Sequence, residues 1–217
     1  MDPARVNSQC SQAISNGMNI KLKTNFARLL VIMTALTTGV VLAGTADTRN
    51  SREYFFTLTF GDLPEELETA GDAGKLGMLL FFEAEDCPYC QHMLKKVFNQ
   101  TDVQDWYQER FVSIAIDIHG DVEMQDFAGV TLPSKVFSDQ QGVFLTPVIS
   151  FVDLDGEEMY RHLGMIATPQ EFLILGAYID GGHYRNTQYD DYAKARGVMK
   201  SDETLITPAA EDDEKTD

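Results

Sequence analysis

Met78-Leu79-Leu80-Phe81-Phe82 runs almost directly into Cys87-Pro88-Tyr89-Cys90, with only Glu83, Ala84, Glu85 and Asp86 between them. A short apolar run bounded by a glycine and by acids reads as a buried β-strand. A Cys-X-X-Cys pair at the start of the following helix reads as a dithiol redox site. Pro88 suits the first helical position, because it has no N–H to leave unpaired there. Cys90, Met93, Leu94, Val97 and Phe98 then recur at three- and four-residue spacing, which puts them on one helix face and leaves Gln91, Lys95 and Lys96 to solvent. The second landmark is Thr146-Pro147, followed by another strand-like run, Val148-Ile149-Ser150-Phe151-Val152. The two landmarks in this order point to thiol–disulfide exchange more strongly than the four-residue motif alone.

Outward from these landmarks the chain alternates strand and helix signals. Ser51 to Phe60 fits a helix or an early strand. Asp62-Leu63-Pro64-Glu65-Glu66 reads as a helix start, with acids at the positive end. Asp102 to Arg110 reads as a helix carrying the single tryptophan, Trp106. Phe111 to Ile118 is the next strand. Gly120 to Gly142 is a long connection with a short helix around Ser134 to Gln141. Pro147 to Val152, the turn Asp153-Leu154-Asp155-Gly156 and the run Glu158 to His162 form a predicted β-hairpin. Thr168-Pro169-Gln170-Glu171 caps a helix that stops at Gly181-Gly182. The expectation is an α/β domain over residues 47–185, with a central mixed sheet flanked by helices.

The chain has 217 residues, 44% of them hydrophobic, which is enough for one good-sized core. Its formal charge of −17 argues against a nucleic-acid partner, which needs a clustered basic surface. Residues 1–46 read as an export signal region. Lys21, Lys23 and Arg28 precede an uncharged, mostly apolar stretch from Leu29 to Gly44, and Gly44 and Ala46 suit a cut before Asp47. Val41 and Ala43 offer a cut before Gly44 instead. Met18 is a better start for such a signal than Met1. The apolar stretch is shorter than the ~20 residues of a spanning helix, and an uncleaved membrane anchor is the alternative.

Removing residues 1–46 leaves 13 bases against 33 acids, a net charge of −20, and removes Cys10, so that Cys87 and Cys90 remain as the only cysteines. An exported protein whose single pair closes almost no loop is not using cysteine as a scaffold. Residues 186–217 read as a polar, acidic extension, with a short helix over Tyr189 to Arg196 and a disordered end from Glu203 to Asp217. The expected location is the periplasm.

In exchange chemistry a thiolate attacks a disulfide sulfur, so the first cysteine must be exposed and ionised. Free N–H groups and the macrodipole at a helix N-terminus both favour an anion. Cys87 is therefore the expected nucleophile, and Cys90, one turn on and facing inward, the resolving thiol. Glu83, Glu85 and Asp86 oppose the thiolate. Exposed carboxylates are screened, so the helix terminus is expected to win by a reduced margin. Thr146-Pro147 is a candidate cis bond, which would set Thr146 backbone groups against an incoming extended peptide. A plain trans proline opening a strand is the alternative. Covalent haem attachment needs His directly after the second cysteine, and position 91 is Gln. Structural zinc needs two further ligands, and His92, His119, His162 and His183 are dispersed. A copper carrier using two thiolates fits a shorter chain better. No cofactor and no bound metal are expected.

From about Asn50 to Tyr184 the chain resembles the thioredoxin superfamily. The resemblance is carried by the strand before Cys87-Pro88-Tyr89-Cys90 and the helix after it, by Gly142-Val143-Phe144-Leu145-Thr146-Pro147, by Gly156 in the hairpin and by Gly164 after it. The Pro-Tyr dipeptide is similar to glutaredoxins, but no glutathione-binding set accompanies it. The signal, the long segment before Pro147 and the Thr-Pro pair look more like exported thioredoxin-like proteins of the sulfur-oxidation (SoxW-like) and Dsb types. The resemblance implies Cys87 as nucleophile, Cys90 as resolving thiol, Pro147 as a cis-proline and Thr146 as a substrate contact, with Pro88 and Tyr89 completing the substrate-binding set. The chain departs from cytoplasmic thioredoxins in two places: Phe81 stands where they carry a buried Asp, and Asp86 where they carry Trp.

The implied function is a periplasmic reductase of protein or small-molecule disulfides, recharged by a membrane electron donor. The alternatives are a dithiol oxidase and a non-catalytic protein that holds a metal on the Cys pair. The expected partners are disulfide-containing or dithiol proteins, and the expected state is a monomer. Potentials of related sites run from about −270 to about −120 mV, and the Pro-Tyr pair is expected to place this one in the less reducing part.

Overall fold

The computed structural model describes residues 47–198. The export signal read in residues 1–46 and the acidic tail from Glu203 lie outside the described residues. Helix α1 (Ser51–Tyr54) is a single turn, capped by Asn50, whose side chain accepts the Arg52 N–H. The chain then extends, and Thr57 N–H donates to Ser113 O at 2.8 Å. The segment from Ser51 to Phe60 is thus helical first and extended afterwards. Helix α2 (Leu63–Asp72) begins at Asp62, whose carboxylate accepts the Glu65 N–H, and buries Leu63, Leu67 and Ala70 at three- and four-residue spacing.

Strand β1 (Gly77–Glu83) is buried at every position. It is followed by α3 (Pro88–Lys96), α4 (Thr101–Gln108) and β2 (Phe111–Asp117). Cys90, Met93, Leu94, Val97 and Phe98 all point inward, Lys95 and Lys96 are exposed, and Gln91 is half-buried. The connection after β2 holds a small hairpin that no alternation pattern announces, β3 (Glu123–Gln125) with β4 (Thr131–Pro133), closed by the Asp126 carboxylate on the N–H groups of Ala128 and Val130. Helix α5 (Ser134–Gln140) follows. Then come β5 (Val148–Asp153), β6 (Glu158–Leu163), α6 (Pro169–Asp180), a 3₁₀ turn at His183–Arg185 and α7 (Tyr189–Lys194).

The main sheet has the order β2-β1-β5-β6, with β1 parallel to β2, and β5 antiparallel to both β1 and β6. An α/β fold with a mixed sheet is therefore what forms. Strand β1 lies in the interior of the sheet, paired on both sides and covered on both faces, which is why its apolar run is unbroken rather than alternating. One face carries an aromatic cluster. Phe55 stacks on Phe98 at 4.4 Å, Tyr107 stacks on Phe172 at 4.1 Å, and the Tyr107 hydroxyl donates to Phe172 O at 2.6 Å. Helices α4 and α6 approach closely at Gly176, where a methyl group would overlap Trp106 and Tyr107. Tyr189, Tyr192 and Ala193 of α7 belong to the same buried cluster, so packed structure continues past residue 185, where the composition turns polar.

Candidate functional site: a disulfide at a helix start beside an apolar cleft

The β1/β2 ladder ends at the site. Ile118 N–H donates to Glu83 O at 3.0 Å, and Cys87 N–H then closes a turn onto Ala84 O at 3.2 Å. Cys87 is the N-cap of α3, with Pro88 as the first helical residue. Its Sγ accepts the Cys90 N–H at 3.1 Å, the position an oxygen takes in a Ser or Asp cap. Cys87 and Cys90 form a disulfide, with their Cα atoms 5.3 Å apart. That separation lies within the range a disulfide needs without backbone movement.

Cys87 is 7% exposed and Cys90 is 0% exposed. The outer and inner sulfurs fall in the expected order, but Cys87 is not open to solvent as its expected role required. In the disulfide it is largely buried, with its N–H tied to Ala84 O and its sulfur bonded to Cys90. A second correction concerns the carboxylates. Glu85 and Asp86 are exposed, whereas Glu83 is buried and held by both terminal guanidinium nitrogens of Arg52, with Nη2 2.8 Å from Oε2. Arg52 lies 31 positions away on α1, so no local signal pairs them.

The Thr146-Pro147 peptide is cis. Gly164 N–H donates to Pro147 O at 3.0 Å, which ties the proline to the segment after β6. Beside it lies a cleft of about 530 Å³ whose walls include Tyr89, Phe144, Leu145, Thr146, Pro147 and Leu163. Three of the four residues expected to contact substrate therefore converge here. Pro88 is exposed on the first turn of α3 and does not line the cleft. The segment after β6, with Gly164 and Met165, forms a wall that sequence reasoning did not identify.

His92 is half-buried on α3, with Nε2 2.9 Å from Ala167 O, and so holds the active-site helix against that same segment. His162 is buried in β6, edge-on to Tyr189 at 5.8 Å. Among the described residues no group of three or more His, Cys, Asp and Glu side chains is placed to hold a metal ion. Likewise, no described helix is long and apolar enough to cross a membrane.

The β2-β1-β5-β6 sheet, a Cys-X-X-Cys disulfide at a helix start and a neighbouring cis-proline define a class of protein built for reversible disulfide chemistry. The chain belongs to the family of thioredoxin-like domains: residues 63–180, more than half of its length, match that family's model. No curated relative matches the sequence. Among solved structures, a thioredoxin-fold protein from Helicobacter pylori is 22% identical, with a TM-score of 0.51 over 67% of this chain and 93% of the other; it establishes the shared fold. A putative disulphide-isomerase from Bacteroides thetaiotaomicron is 23% identical over 59% of this chain and 94% of its own, with a TM-score of 0.42. The C-terminal domain of DsbD from Neisseria meningitidis is 19% identical over 52% and 89%, with a TM-score of 0.39. Family membership and the bonded Cys87–Cys90 pair make this chain a thiol–disulfide oxidoreductase of thioredoxin-like type.

Proposed function

We propose that the protein is a periplasmic reductase of disulfides in proteins or small molecules, with Cys87 as the attacking sulfur and Cys90 as the resolving one. The observation that carries this reading is the position of Cys87: its sulfur takes the cap bond from Cys90 N–H, and Tyr89, between the two cysteines, lines the cleft shared with Thr146 and cis-Pro147. In the reduced protein, the free N–H groups of the first helical turn favour a thiolate on Cys87. That thiolate attacks one substrate sulfur, the substrate S–S bond breaks, and the departing substrate thiolate takes a proton. Cys90 then loses its proton and attacks the Cys87 sulfur of the mixed disulfide. The second substrate thiol leaves, and the Cys87–Cys90 disulfide remains. Two electrons and two protons have passed to the substrate, and an external dithiol on a membrane donor restores them.

The direction is supported by charge. The strongest oxidants of this chemistry owe their potential to a stabilised reduced form. Glu85 and Asp86 stand exposed just before Cys87 and oppose its thiolate, which lessens the stabilisation the helix start gives the reduced form and leaves the dithiol a better electron donor than in those oxidants.

The test is reduction of insulin by dithiothreitol. Wild type is expected to accelerate it, Cys87→Ser to abolish turnover, and Cys90→Ser to accumulate mixed disulfides. Full dithiol turnover by Cys90→Ser, with nothing trapped by either variant, would overturn the role assignment, and mixed disulfides trapped by Cys87→Ser instead would reverse it. Equilibration with a glutathione redox buffer then fixes the direction. A pair as oxidising as the ~−120 mV end of the scale would favour the oxidase.

A further inference from the structure

We propose that Arg161 is a positioning residue for the cleft: it clamps the loop bearing Phe144, Leu145, Thr146 and Pro147 onto β6, and so governs how polypeptide disulfides, but not small ones, reach the Cys pair. The proposal rests on the exchange reading above. Arg161 sits on β6 opposite Ser150 of β5. Its side chain is 25% exposed. Nη1 donates to Gln141 O at 2.7 Å, while Nε donates to Glu158 Oε2 at 2.8 Å and Nη2 lies in ion-pair contact with that oxygen at 2.7 Å. The Ser150 hydroxyl donates to that same oxygen at 2.7 Å. The carboxylate thus fixes the guanidinium plane, and the remaining arm of the fork points at the backbone where α5 ends. A planar fork suits this double duty, and a single ammonium does not.

Gln141 is the last residue before the loop. Gly142 follows with φ +68°, a left-handed turn that sends the chain outward. At the far end the loop is tied again, by Gly164 N–H on Pro147 O. The near end is also held to α5, by Gly142 N–H on Asp139 O at 3.0 Å and Val143 N–H on Ser138 O at 2.9 Å; the fastenings from across the cleft come from β6 or the residue just after it. Between them Phe144 and Leu145 are held out in solvent, 72% and 81% exposed.

Arg161 is the one charged residue among the described residues that line the cleft, and Glu158 already neutralises it. The cleft accordingly offers apolar contact rather than a cation, and fits a disulfide flanked by apolar side chains. A small disulfide needs only the sulfurs and the helix start. A polypeptide also needs the loop at its proper height above β6.

The experiment compares insulin with hydroxyethyl disulfide as substrates for full-length wild type, Arg161→Met and Arg161→Lys. Arg161→Met loses charge-assisted bonds and is expected to raise KM for insulin about tenfold, with kcat and the hydroxyethyl disulfide rate changed less than about twofold. Arg161→Lys keeps one bond and falls between. The Cys87–Cys90 potential stays at its wild-type value. Equal losses on both substrates, or no loss on insulin, would overturn the clamp. If Arg161→Met does not fold, Glu158→Gln is expected to show the same selective rise to a smaller extent, and its absence overturns the proposal equally. Failure of wild type to reduce either substrate would sink the exchange reading itself, and the clamp with it.

Discussion

Two apolar runs of this domain have opposite fates. Met78 to Phe82 fills β1 and is sealed from solvent, with Phe81 and Phe82 at 0% exposure. Val143-Phe144-Leu145 lies in the loop before cis-Pro147 and holds two of its three side chains in water. Composition does not separate them; backbone pairing does. Strand β1 is hydrogen-bonded on both sides, to β2 and β5, so its side chains must enter the layers above and below the sheet. The loop is fastened only at its ends, and its side chains project beside the Cys-X-X-Cys helix. Burying a side chain such as Phe or Leu is worth about 1.5–3 kcal/mol, which the loop forgoes. On the exchange reading proposed above, Phe144 and Leu145 beside the Cys pair offer apolar contact to a substrate. That reading assigns stability and recognition to different apolar runs joined through one sheet.

That contrast can be broken at either end. The largest effect is expected in the core: Phe98→Ala, which empties the stack with Phe55 and the edge contacts with Phe81 and Phe172, should cost about 3–5 kcal/mol in urea unfolding. The folded fraction should keep its exchange activity. At the loop the signs invert. Phe144→Ser combined with Leu145→Ser should lower insulin reduction about tenfold while moving stability by no more than about 0.5 kcal/mol per site. A large fall in the urea midpoint of that variant would show the loop to be structural after all.

A third, intermediate effect concerns alkali. Burial, reinforced by Tyr178 and Asp190, raises Tyr160 to about 12. Burial likewise pushes up Tyr107, Tyr178 and Tyr189. A phenol that titrates higher in the folded protein than its ordinary ~10 favours folding below that pH, and the contribution is lost as pH rises towards the folded value. Thermal unfolding should therefore be insensitive to these groups up to about pH 10 and weaken between about pH 10 and 12. A stability that stays level through that window would contradict it.

The smallest effect is expected at Ser113 in β2, whose buried hydroxyl has no hydrogen-bond partner among the described residues. Ser113→Ala removes an unsatisfied group and should be neutral or stabilising by about 1 kcal/mol, read as a small upward shift of the melting temperature.

Much of the architecture was legible along the chain because its signals are local. The β1 run, the inward face of α3, the Asp153–Gly156 turn and the Thr168 and Asp62 caps each depend on neighbours within a turn or a strand, and each lies where its pattern places it. The site was legible to the same depth. Cys87 at the cap of α3 follows from Pro88 and the residue spacing.

What could not be read depends on segments that meet only in space. The Glu83–Arg52 pair joins the end of β1 to α1, and converts an acid expected to lie in water into a buried carboxylate paired with a half-exposed arginine. The short β3/β4 hairpin, the burial of Tyr189 and Tyr192, and the Arg161–Gln141 bond likewise need two distant pieces of chain side by side. The amino-acid order alone indicated most of the elements and singled out the Cys87–Cys90 pair, since periodicity and capping act over a few residues. The choice of cis at Pro147, the burial of Glu83 and the shape of the cleft were left to packing, since those energies exist only once the sheet has set remote residues against each other.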